Sequence, residues 1–369
     1  MVGLTIGGLG VGGSEKQLCA LAEGLTSRGH GVEVALYDES DGREDWLAAR
    51  GVVVRYGHGG SRLAKIRWMR EWISSAQPQV VHGFMKRASS LAVLGNFPSW
   101  RARIVASDMS TATFGRHKLA LWGSLALFAL ADVVVTQTET NRRSLCRLAP
   151  WLKRRLRVIR NGVDTERFRP AESLRPVGPF RFVSVGTVYR VKNPVRVVEA
   201  VHHLRQRGCR DFVVEWYGRL GLNANGAPSV DYLRAEELVR TLGLGAHVRF
   251  MGPRHDVERV YQTADGLLHA SVQEGIPNAV VEGMASGLPI VVSRVSDLPL
   301  IVQEAQNGFV CDETRPESIA DAMEALMRSP LAERKAMGRR SRDLAVRWFG
   351  MERFVGEFEA LYQELISPR

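Results

Sequence analysis

The chain has few cysteines and no long apolar segment, and both absences limit what it can be. Its four cysteines, Cys19, Cys146, Cys209 and Cys311, form no C-x-x-C pair, which is typical of reduced thiols in a cytoplasmic protein. The longest apolar run, Leu119 to Ala131, has 13 residues, whereas a membrane-spanning helix needs about 20. The first residues also lack the basic start and apolar core of a signal peptide. We therefore expect a cytoplasmic protein that does not cross a membrane.

Metal-binding patterns are missing as well. The sequence contains no D-x-D motif, a common means of holding a metal ion against a diphosphate, and its histidines and cysteines do not show ligand spacing. The composition, with 45% hydrophobic and 24% charged residues, is that of a folded globular protein, and 369 residues suffice for two domains. We predict neither a metal ion nor another cofactor.

Lysine is scarce, at 7 of 50 basic residues, and the net charge of +11 is unevenly distributed. Residues 1–160 contain 23 basic and 12 acidic residues, whereas residues 161–369 contain 27 of each. An excess of one sign in one half indicates an acidic partner, which could be nucleic acid, a membrane surface or an anionic substrate. The alternative is a genome that favours arginine, although such a bias should affect both halves. No nucleic-acid-binding motif is recognisable, so we do not predict a nucleic-acid partner.

Short runs rich in Val and Ile alternate with longer amphipathic stretches along the whole chain. Continuous apolar strands separated by helices are typical of buried parallel sheets built from βαβ units. Two such series predict an α/β protein with two doubly wound, Rossmann-like domains. The predicted strands after the first are Val32–Leu36, Val52–Tyr56, Val80–His82, Ile104–Ser107, Val133–Thr136, Phe180–Val185, Phe212–Tyr217, Val248–Phe250, Gly266–Ala270 and Ile290–Ser293.

An Asn-Gly turn signal at positions 161–162, followed by several prolines, marks the domain boundary. We place the first domain at residues 1–162 and the second at residues 163–348. The remaining tail, residues 349–369, contains an amphipathic helix from Met351 to Ile366. No strand follows this helix, so it must pack on structure that is already formed.

A glycine-rich loop follows the first short strand. Gly8, Gly10 and Gly13 satisfy G-x-G-x-x-G, the fingerprint of dinucleotide binding, and Asp38 ends the next strand where an acidic ribose ligand would be expected. Taken alone, this loop predicts an NAD-dependent oxidoreductase. A glycine-rich first turn also suits any ligand whose phosphate or sugar approaches the backbone closely. It can equally be a tight turn without a ligand.

A more specific pattern lies in the second half. A loop carrying Glu274 precedes a helix that we expect to start near Pro277 or Asn278, and Glu282 lies about one turn inside that helix. The N–H groups of such a helix N-terminus, at the carboxyl end of a parallel strand, can bind an anion. Two carboxylates beside an anion can accept hydrogen bonds from sugar hydroxyls that flank a diphosphate. An isolated pair could also be a loop charge and a solvated helix residue.

Further segments accompany this spacing. Around Glu274-x7-Glu282 stand Gly275, Pro277, Asn278 and Gly287-x-Pro289. Elsewhere, in order, are Gly12-Gly13-Ser14-Glu15, Asn161-Gly162-Val163-Asp164, Val185-Gly186, Lys192-Asn193-Pro194 and Phe250-x-Gly252. Together they resemble the signature of retaining glycosyltransferases of the GT-B fold, and more narrowly glycosyltransferase family 4. The resemblance covers nearly the whole chain and implies two Rossmann-like domains, with the final helix crossing back onto the first.

The resemblance implies transfer of a sugar from a nucleotide diphosphate sugar, with retention of configuration and without a metal ion. It places Glu274 near the reacting carbon of the donor sugar, Glu282 at the nucleotide ribose and Lys192 at the diphosphate. Backbone groups of Gly12 and Gly13 would approach the diphosphate from the first domain. The other residues expected to bind the donor are Gly186, Gly275, Ile276, Pro277 and Asn278.

The sequence departs from the family pattern at several positions. Thr187 replaces an arginine that usually follows Val-Gly, and we expect Arg190 to supply its charge as a catalytic residue. A family histidine that contacts the donor sugar falls near Asp108. A changed loop at positions 218–221 leaves the donor base open, and an inactive sugar-nucleotide-binding protein remains an alternative. The candidate acceptor-side residues are His82, Lys86, Arg87 and Asp108.

Two basic stretches contain tryptophan: Arg62 to Ile73 and Trp151 to Arg157. Basic amphipathic stretches of this kind suit the surface of an anionic membrane. With the charge asymmetry, they predict a lipid-linked or envelope-glycan acceptor and peripheral contact with the inner face of the cytoplasmic membrane. The alternative for the first stretch is an ordinary helix that packs Trp68 and Trp72 into the core.

Overall fold

A computed structural model of the chain describes residues 1–10, 12–38, 42–57, 59–108, 118–172, 178–221 and 227–367. They form two compact units. The N-terminal unit is Met1–Gly162 together with the final helix, and the C-terminal unit is Val163–Gly350.

The N-terminal unit is built on a parallel sheet. Its strands are β1 (Val2–Ile6), β2 (Val32–Leu36), β3 (Val53–Tyr56), β4 (Val80–Gly83), β5 (Arg103–Asp108), β6 (Val133–Thr136) and β7 (Leu156–Val158). Their order is β3-β2-β1-β4-β5-β6-β7. The helices are α1 (Gly13–Ser27), α2 (Glu44–Ala48), α3 (Arg62–Ala76), α4 (Met85–Asn96), α5 (Lys118–Phe128) and α6 (Glu139–Leu148). Because the connections between parallel strands are helical crossovers, both faces of the sheet are covered, and its central strands β1 and β4 are buried along their whole length.

The C-terminal unit repeats this design. Its strands are β8 (Phe180–Val185), β9 (Phe212–Tyr217), β10 (Val248–Gly252), β11 (Gly266–His269), β12 (Ile290–Ser293) and β13 (Gly308–Cys311), in the order β10-β9-β8-β11-β12-β13. The helices are α7 (Pro194–Gln206), α8 (Val230–Thr241), α9 (Val257–Gln262), α10 (Asn278–Ala285), α11 (Leu298–Ala305), α12 (Pro316–Arg328) and α13 (Leu331–Phe349). The strand order reverses between β8 and β11, and such a switch point is where open parallel sheets bind ligands.

The final helix, α14 (Met351–Ile366), packs on α1 in the N-terminal unit. Its apolar face buries Phe354 and Phe358 against the core of that unit. Gly24 of α1 allows close approach, since a Cβ there would lie 2.4 Å from Cγ2 of Val355. An ion pair of 2.5 Å between Arg28 and Glu359 adds to the contact. The prediction of two doubly wound domains with a helix returning to the first is therefore confirmed.

The sequence prediction missed two edge strands, β7 and β13. Strand β7 begins inside the second basic stretch and ends one residue beyond it, after a three-residue 3-10 turn at Pro150–Leu152. The second basic stretch is therefore a turn followed by an edge strand. Short edge strands bury only part of their side chains, so their hydrophobic signal is weak. In the first basic stretch the helix, α3, is present, but Trp72 is buried and Trp68 packs against the core, as the alternative stated.

Candidate functional site

The donor residues predicted in the C-terminal unit gather at the carboxyl ends of β8 and β11, which are neighbouring strands. The loop after β8 carries Lys192, and the loop after β11 carries Glu274. Two backbone-anchored contacts join the loops. Val272 donates its N–H to the carbonyl of Val191 at 2.9 Å, and the Asn193 amide donates to the carbonyl of Ala270 at 3.0 Å.

Asn193 is suited to this place because it must adopt a left-handed backbone, with φ 64° and ψ 41°. Among non-glycine residues asparagine tolerates that conformation best. Its side chain is buried and bonds to two carbonyl groups, so it fixes the end of the 3-10 turn Arg190–Lys192. The turn in turn sets the direction of Lys192.

Glu274 lies at the centre of the site. Its Oε1 is 2.5 Å from Nζ of Lys192 and 3.0 Å from Nε2 of His269. Only 13% of the Glu274 side chain and 18% of the Lys192 side chain are exposed. Burial raises the pKa of Glu274. The hydrogen bond from His269 and the charge of Lys192 together lower it by more than burial raises it, so that the pKa falls to about 2. Glu274 is therefore a stable anion that cannot serve as a proton donor near neutral pH.

Glu282 lies in α10, one turn from the helix start, and is buried. The buried hydroxyl of Tyr261 in α9 donates to its Oε2 at 3.1 Å. Pro277 precedes the helix in an extended conformation, with φ −69° and ψ 122°. This is the entry geometry predicted for the N-terminal turn, whose aligned amide groups favour an anion.

Two glycines let neighbouring loops approach closely. A Cβ at Gly218 would lie 2.2 Å from the carbonyl oxygen of Gly186, and the two residues have φ values of 153° and 144°. The indole N–H of Trp216 donates to that same carbonyl at 2.9 Å. A Cβ on Gly186 itself would lie 3.3 Å from Cε of Lys192. The predicted glycine at 186 thus leaves space beside the lysine stem.

The other predicted donor-side residues take different places. Arg190 is exposed, in the same 3-10 turn as Lys192 and three residues from Thr187. Gly275 and Asn278 are half-buried, whereas the side chain of Ile276 is buried in the apolar cluster beneath α10. The backbone of Ile276, and not its side chain, is the part that can face a ligand.

In the N-terminal unit, the glycine loop contacts the end of β2. The N–H of Asp38 donates to the carbonyl of Gly7 at 2.8 Å. Asp38 forms ion pairs with the buried Lys65 of α3 and, at 3.6 Å, with Arg87 of α4. A carboxylate that binds two cations is poorly placed to accept ribose hydroxyls, so the geometry disfavours the dinucleotide interpretation of this loop. Gly12 caps α1 and Gly13 is its first residue.

The predicted acceptor-side residues divide into two groups. Asp108, at the end of β5, is buried 3.5 Å from Nζ of the half-buried Lys86, and Arg87 is exposed beside it in sequence. His82, in contrast, is fully buried in β4. Its Nδ1 is 2.6 Å from the hydroxyl of Tyr362 in α14, and burial lowers its pKa to about 3. His82 therefore contacts the final helix inside the core, and its place on the acceptor side stays a prediction.

Two residues of the site were missed from the sequence, His269 and Tyr261. Each contacts one member of the carboxylate pair. His269 is the next-to-last residue of the predicted strand Gly266–Ala270 and lies five residues before Glu274, which is a detectable signal for a side chain near the carboxyl edge of the sheet. Tyr261 lies on a separate helix, and nothing in the local spacing connects it with Glu282.

No group of three or more His, Cys, Asp and Glu in the described parts of the chain is arranged to hold a metal ion. No helix in them is long and apolar enough to cross a membrane.

Comparison with family models gives two matches that lie end to end. Residues 11–167 match the model described as Glycosyltransferase Family 4. Residues 165–344 match the model described as Glycosyl transferases group 1, and this range contains the whole site built around Glu274.

Individual proteins agree with the family models. A D-inositol 3-phosphate glycosyltransferase of Corynebacterium diphtheriae is 31% identical over 210 residues, which are 53% of this chain and 48% of that protein. One from Salinispora tropica is 26% identical over 95% of this chain and 69% of its own length. The matched segments thus span about half of the first relative's length and about two thirds of the second's. The crystal structure of Anabaena Alr3699/HepE in complex with UDP superposes with a TM-score of 0.84, over 98% of this chain and 99% of that chain, at 16% identity.

Proposed function

We propose that this chain, which belongs to glycosyltransferase family 4 and has the GT-B fold, transfers a sugar from a nucleotide diphosphate sugar to a hydroxyl group of an acceptor. The observation that carries the proposal is the contact between Lys192 and Glu274 at the switch point of the C-terminal unit. Lys192 can bind a phosphate and Glu274 can bind sugar hydroxyls, and the ion pair between them holds the two groups side by side.

The positive charge for the departing diphosphate comes from the protein in this proposal. Lys192 lies beside the backbone of Gly186, and the N-terminus of α10 follows the Glu274 loop. Preorganised cations and helix amides stabilise the charge that develops on a leaving phosphate. We accordingly propose a metal-independent reaction, which predicts full activity in excess EDTA.

The carboxylates would bind the sugar and the ribose. Glu274 remains ionised, so it accepts hydrogen bonds from hydroxyls of the donor sugar near the reacting carbon. Glu282 lies deeper, on α10, and would accept from the ribose. We propose a retaining transfer on one face of the sugar, in which a phosphate oxygen of the leaving group takes the proton of the incoming hydroxyl.

The transfer assay that tests this proposal uses UDP-, GDP- and ADP-linked hexoses with acceptor mixtures, and reads the anomeric configuration of the product by NMR. We expect one donor to be consumed with its configuration retained. Glu274→Ala should abolish transfer while the circular dichroism spectrum stays that of the wild type. Glu258→Ala, which removes the ion pair of the half-buried Glu258 with Arg167 in the same unit, is the matched control and should retain activity. An active Glu274→Ala variant would disprove the site.

For the acceptor we propose a glycan or lipid-linked molecule that carries a negatively charged group. Lys86 and Arg87 stand at the carboxyl end of β4, where a ligand of the N-terminal sheet would bind. The related D-inositol 3-phosphate glycosyltransferases are named for an acceptor with a phosphate group. Lys86→Ala and Arg87→Ala should raise the acceptor KM and leave the donor Kd unchanged.

Contact with an anionic membrane is part of this proposal, and one surface suits it. Trp122 and Trp151 are 47% and 53% exposed, and their rings lie 6.2 Å apart. We call these two residues the tryptophan patch. Lys153 is exposed close to it in sequence, and the exposed Arg155 donates to the carbonyl of Ala131, next to Leu130. Aromatic rings beside basic groups suit the interface of an anionic bilayer.

Vesicle co-sedimentation of the full chain tests the membrane contact. Binding to vesicles rich in phosphatidylglycerol should exceed binding to phosphatidylcholine and should fall with added salt, because exposed charges are screened beyond about 8 Å at physiological ionic strength. Removing both tryptophans by Trp122→Ala and Trp151→Ala should abolish binding. Trp46→Ala, which removes another exposed tryptophan of the same unit, is the control. Equal binding by the double variant and wild type would contradict the proposal.

A further inference from the structure

His269 is the last residue of β11 and is almost fully buried, with 4% of its side chain exposed. Its Nε2 lies 3.0 Å from Oε1 of Glu274 and 3.0 Å from Oγ of Ser271. An ionised carboxylate can only accept a hydrogen bond, so the hydrogen of this contact must be on Nε2. The geometry therefore selects the Nε2–H form of the imidazole.

Its surroundings also favour the neutral form of the ring. Burial lowers the pKa of His269, and the nearby charge of Lys192 lowers it further, although Glu274 acts in the opposite direction. Glu274 and Lys192 are the charged groups that face the ring. A neutral Nε2–H donor binds the carboxylate without supplying a second positive charge to the pair.

Oε1 of Glu274 is shared between His269 and Lys192. The two hydrogen-bond donors differ in how far their side chains can move. Lys192 has a flexible stem and would be drawn to the oxygens of a donor diphosphate, which compete with Glu274 for its ammonium group. The imidazole is fixed in a central strand between β8 and β12, so it cannot follow.

We propose that His269 is a positioning residue that holds the carboxylate of Glu274 in place when Lys192 binds the donor diphosphate. The inference rests on the proposed function, because it assumes that the donor diphosphate binds at Lys192 and the donor sugar at Glu274. His269 acts through Glu274 and does not itself touch the donor. Its role is to keep the sugar-binding oxygen at one position through the exchange of partners.

The first test compares His269→Gln, which keeps an N–H donor of similar reach, with His269→Leu, which has no donor. Loss of a hydrogen bond to a buried charge corresponds to about 10- to 100-fold in rate. We expect His269→Leu to lower kcat by that factor with less than about a threefold change in donor KM, and His269→Gln to recover most of the loss. Equal impairment of both variants, or wild-type kcat in His269→Leu, would overturn the proposal.

The second test needs no turnover, so it remains decisive if the proposed function fails. The full chain is labelled with 15N-histidine, and side-chain NMR identifies the ring nitrogen that carries hydrogen. His269, assigned by comparison with His269→Gln, should be neutral and protonated at Nε2 between about pH 7 and pH 8, with and without UDP. Buried His247 is the internal control, because its Nδ1 lies 2.8 Å from the carbonyl of Phe212 and must carry the hydrogen there. A His269 protonated at Nδ1, or one that gains a proton within this range, would overturn the inference.

Discussion

Replacing Lys192 by methionine measures how strongly the site depends on its central ion pair. The pKa of Glu274 is raised by burial and lowered more strongly by His269 and Lys192, and falls overall from 4.5 to about 2. Since one pH unit equals about 1.4 kcal/mol, this fall stabilises the folded state by about 3 kcal/mol at neutral pH. The hydrogen bond from His269 supplies part of this stabilisation, and the charge of Lys192 supplies another part. We therefore expect Lys192→Met to lower the free energy of unfolding by about 1–3 kcal/mol at pH 7.

The pH dependence gives the sign of the effect. The folded-state pKa of Glu274 lies below its unfolded value, so the stabilisation is complete above about pH 4.5 and is lost as the pH falls toward 2. Lys192→Met raises the folded-state pKa, so the difference between variant and wild type should shrink as the pH is lowered from neutrality.

A double-mutant cycle in urea denaturation isolates the pair. Lys192→Met with Glu274→Gln removes both charges and should recover stability relative to the sum of the single changes, because neither buried charge is left unpaired. The coupling should be about 1–3 kcal/mol and should fall as the pH is lowered. Additive effects at pH 7 would refute the reasoning that this ion pair stabilises the folded site.

Three further predictions concern single positions. Glu282→Ala should weaken donor binding by about 1–3 kcal/mol in calorimetry, because ribose hydroxyls lose a buried acceptor; an unchanged Kd would remove Glu282 from the donor site. Arg190→Ala should lower kcat strongly if Arg190 replaces the arginine missing at Thr187, and wild-type kcat would require another cation. Gly218→Ala should lower the melting temperature by several degrees, since its Cβ would lie 2.2 Å from the carbonyl oxygen of Gly186; an unchanged melting temperature would show that the loops can separate without cost.

The fold and the main residues of the candidate site could be predicted because both leave local signals. Buried parallel strands are continuous apolar runs, and Glu274 and Glu282 lie on one short loop and the helix that follows it. Lys192 follows a strand end in the same way. Their joint placement at one switch point follows from the βαβ topology.

Long-range contacts could not be read from the sequence. Asp38 meets cations from two separate helices, and His82 is buried by Tyr362, which lies 280 positions later in the chain. A polar residue at a strand end looks the same in the sequence whether it faces a ligand or a returning helix. The conformation of the basic stretch at Trp151 could not be predicted for a related reason, because a turn followed by an edge strand can show the same mixture of residues as a helix.

The most direct test of the central claim is a thermal-shift screen of the full chain against UDP, GDP, ADP, their sugar conjugates and NAD(H), without added metal. A ligand at about 100 times its Kd adds roughly 2.7 kcal/mol to stability, which gives a clear increase in melting temperature. We predict that one nucleoside diphosphate and its sugar conjugate raise the melting temperature, that NAD(H) does not, and that Glu282→Ala loses the shift. A shift with NAD(H) alone would contradict the donor site proposed at Lys192, Glu274 and Glu282.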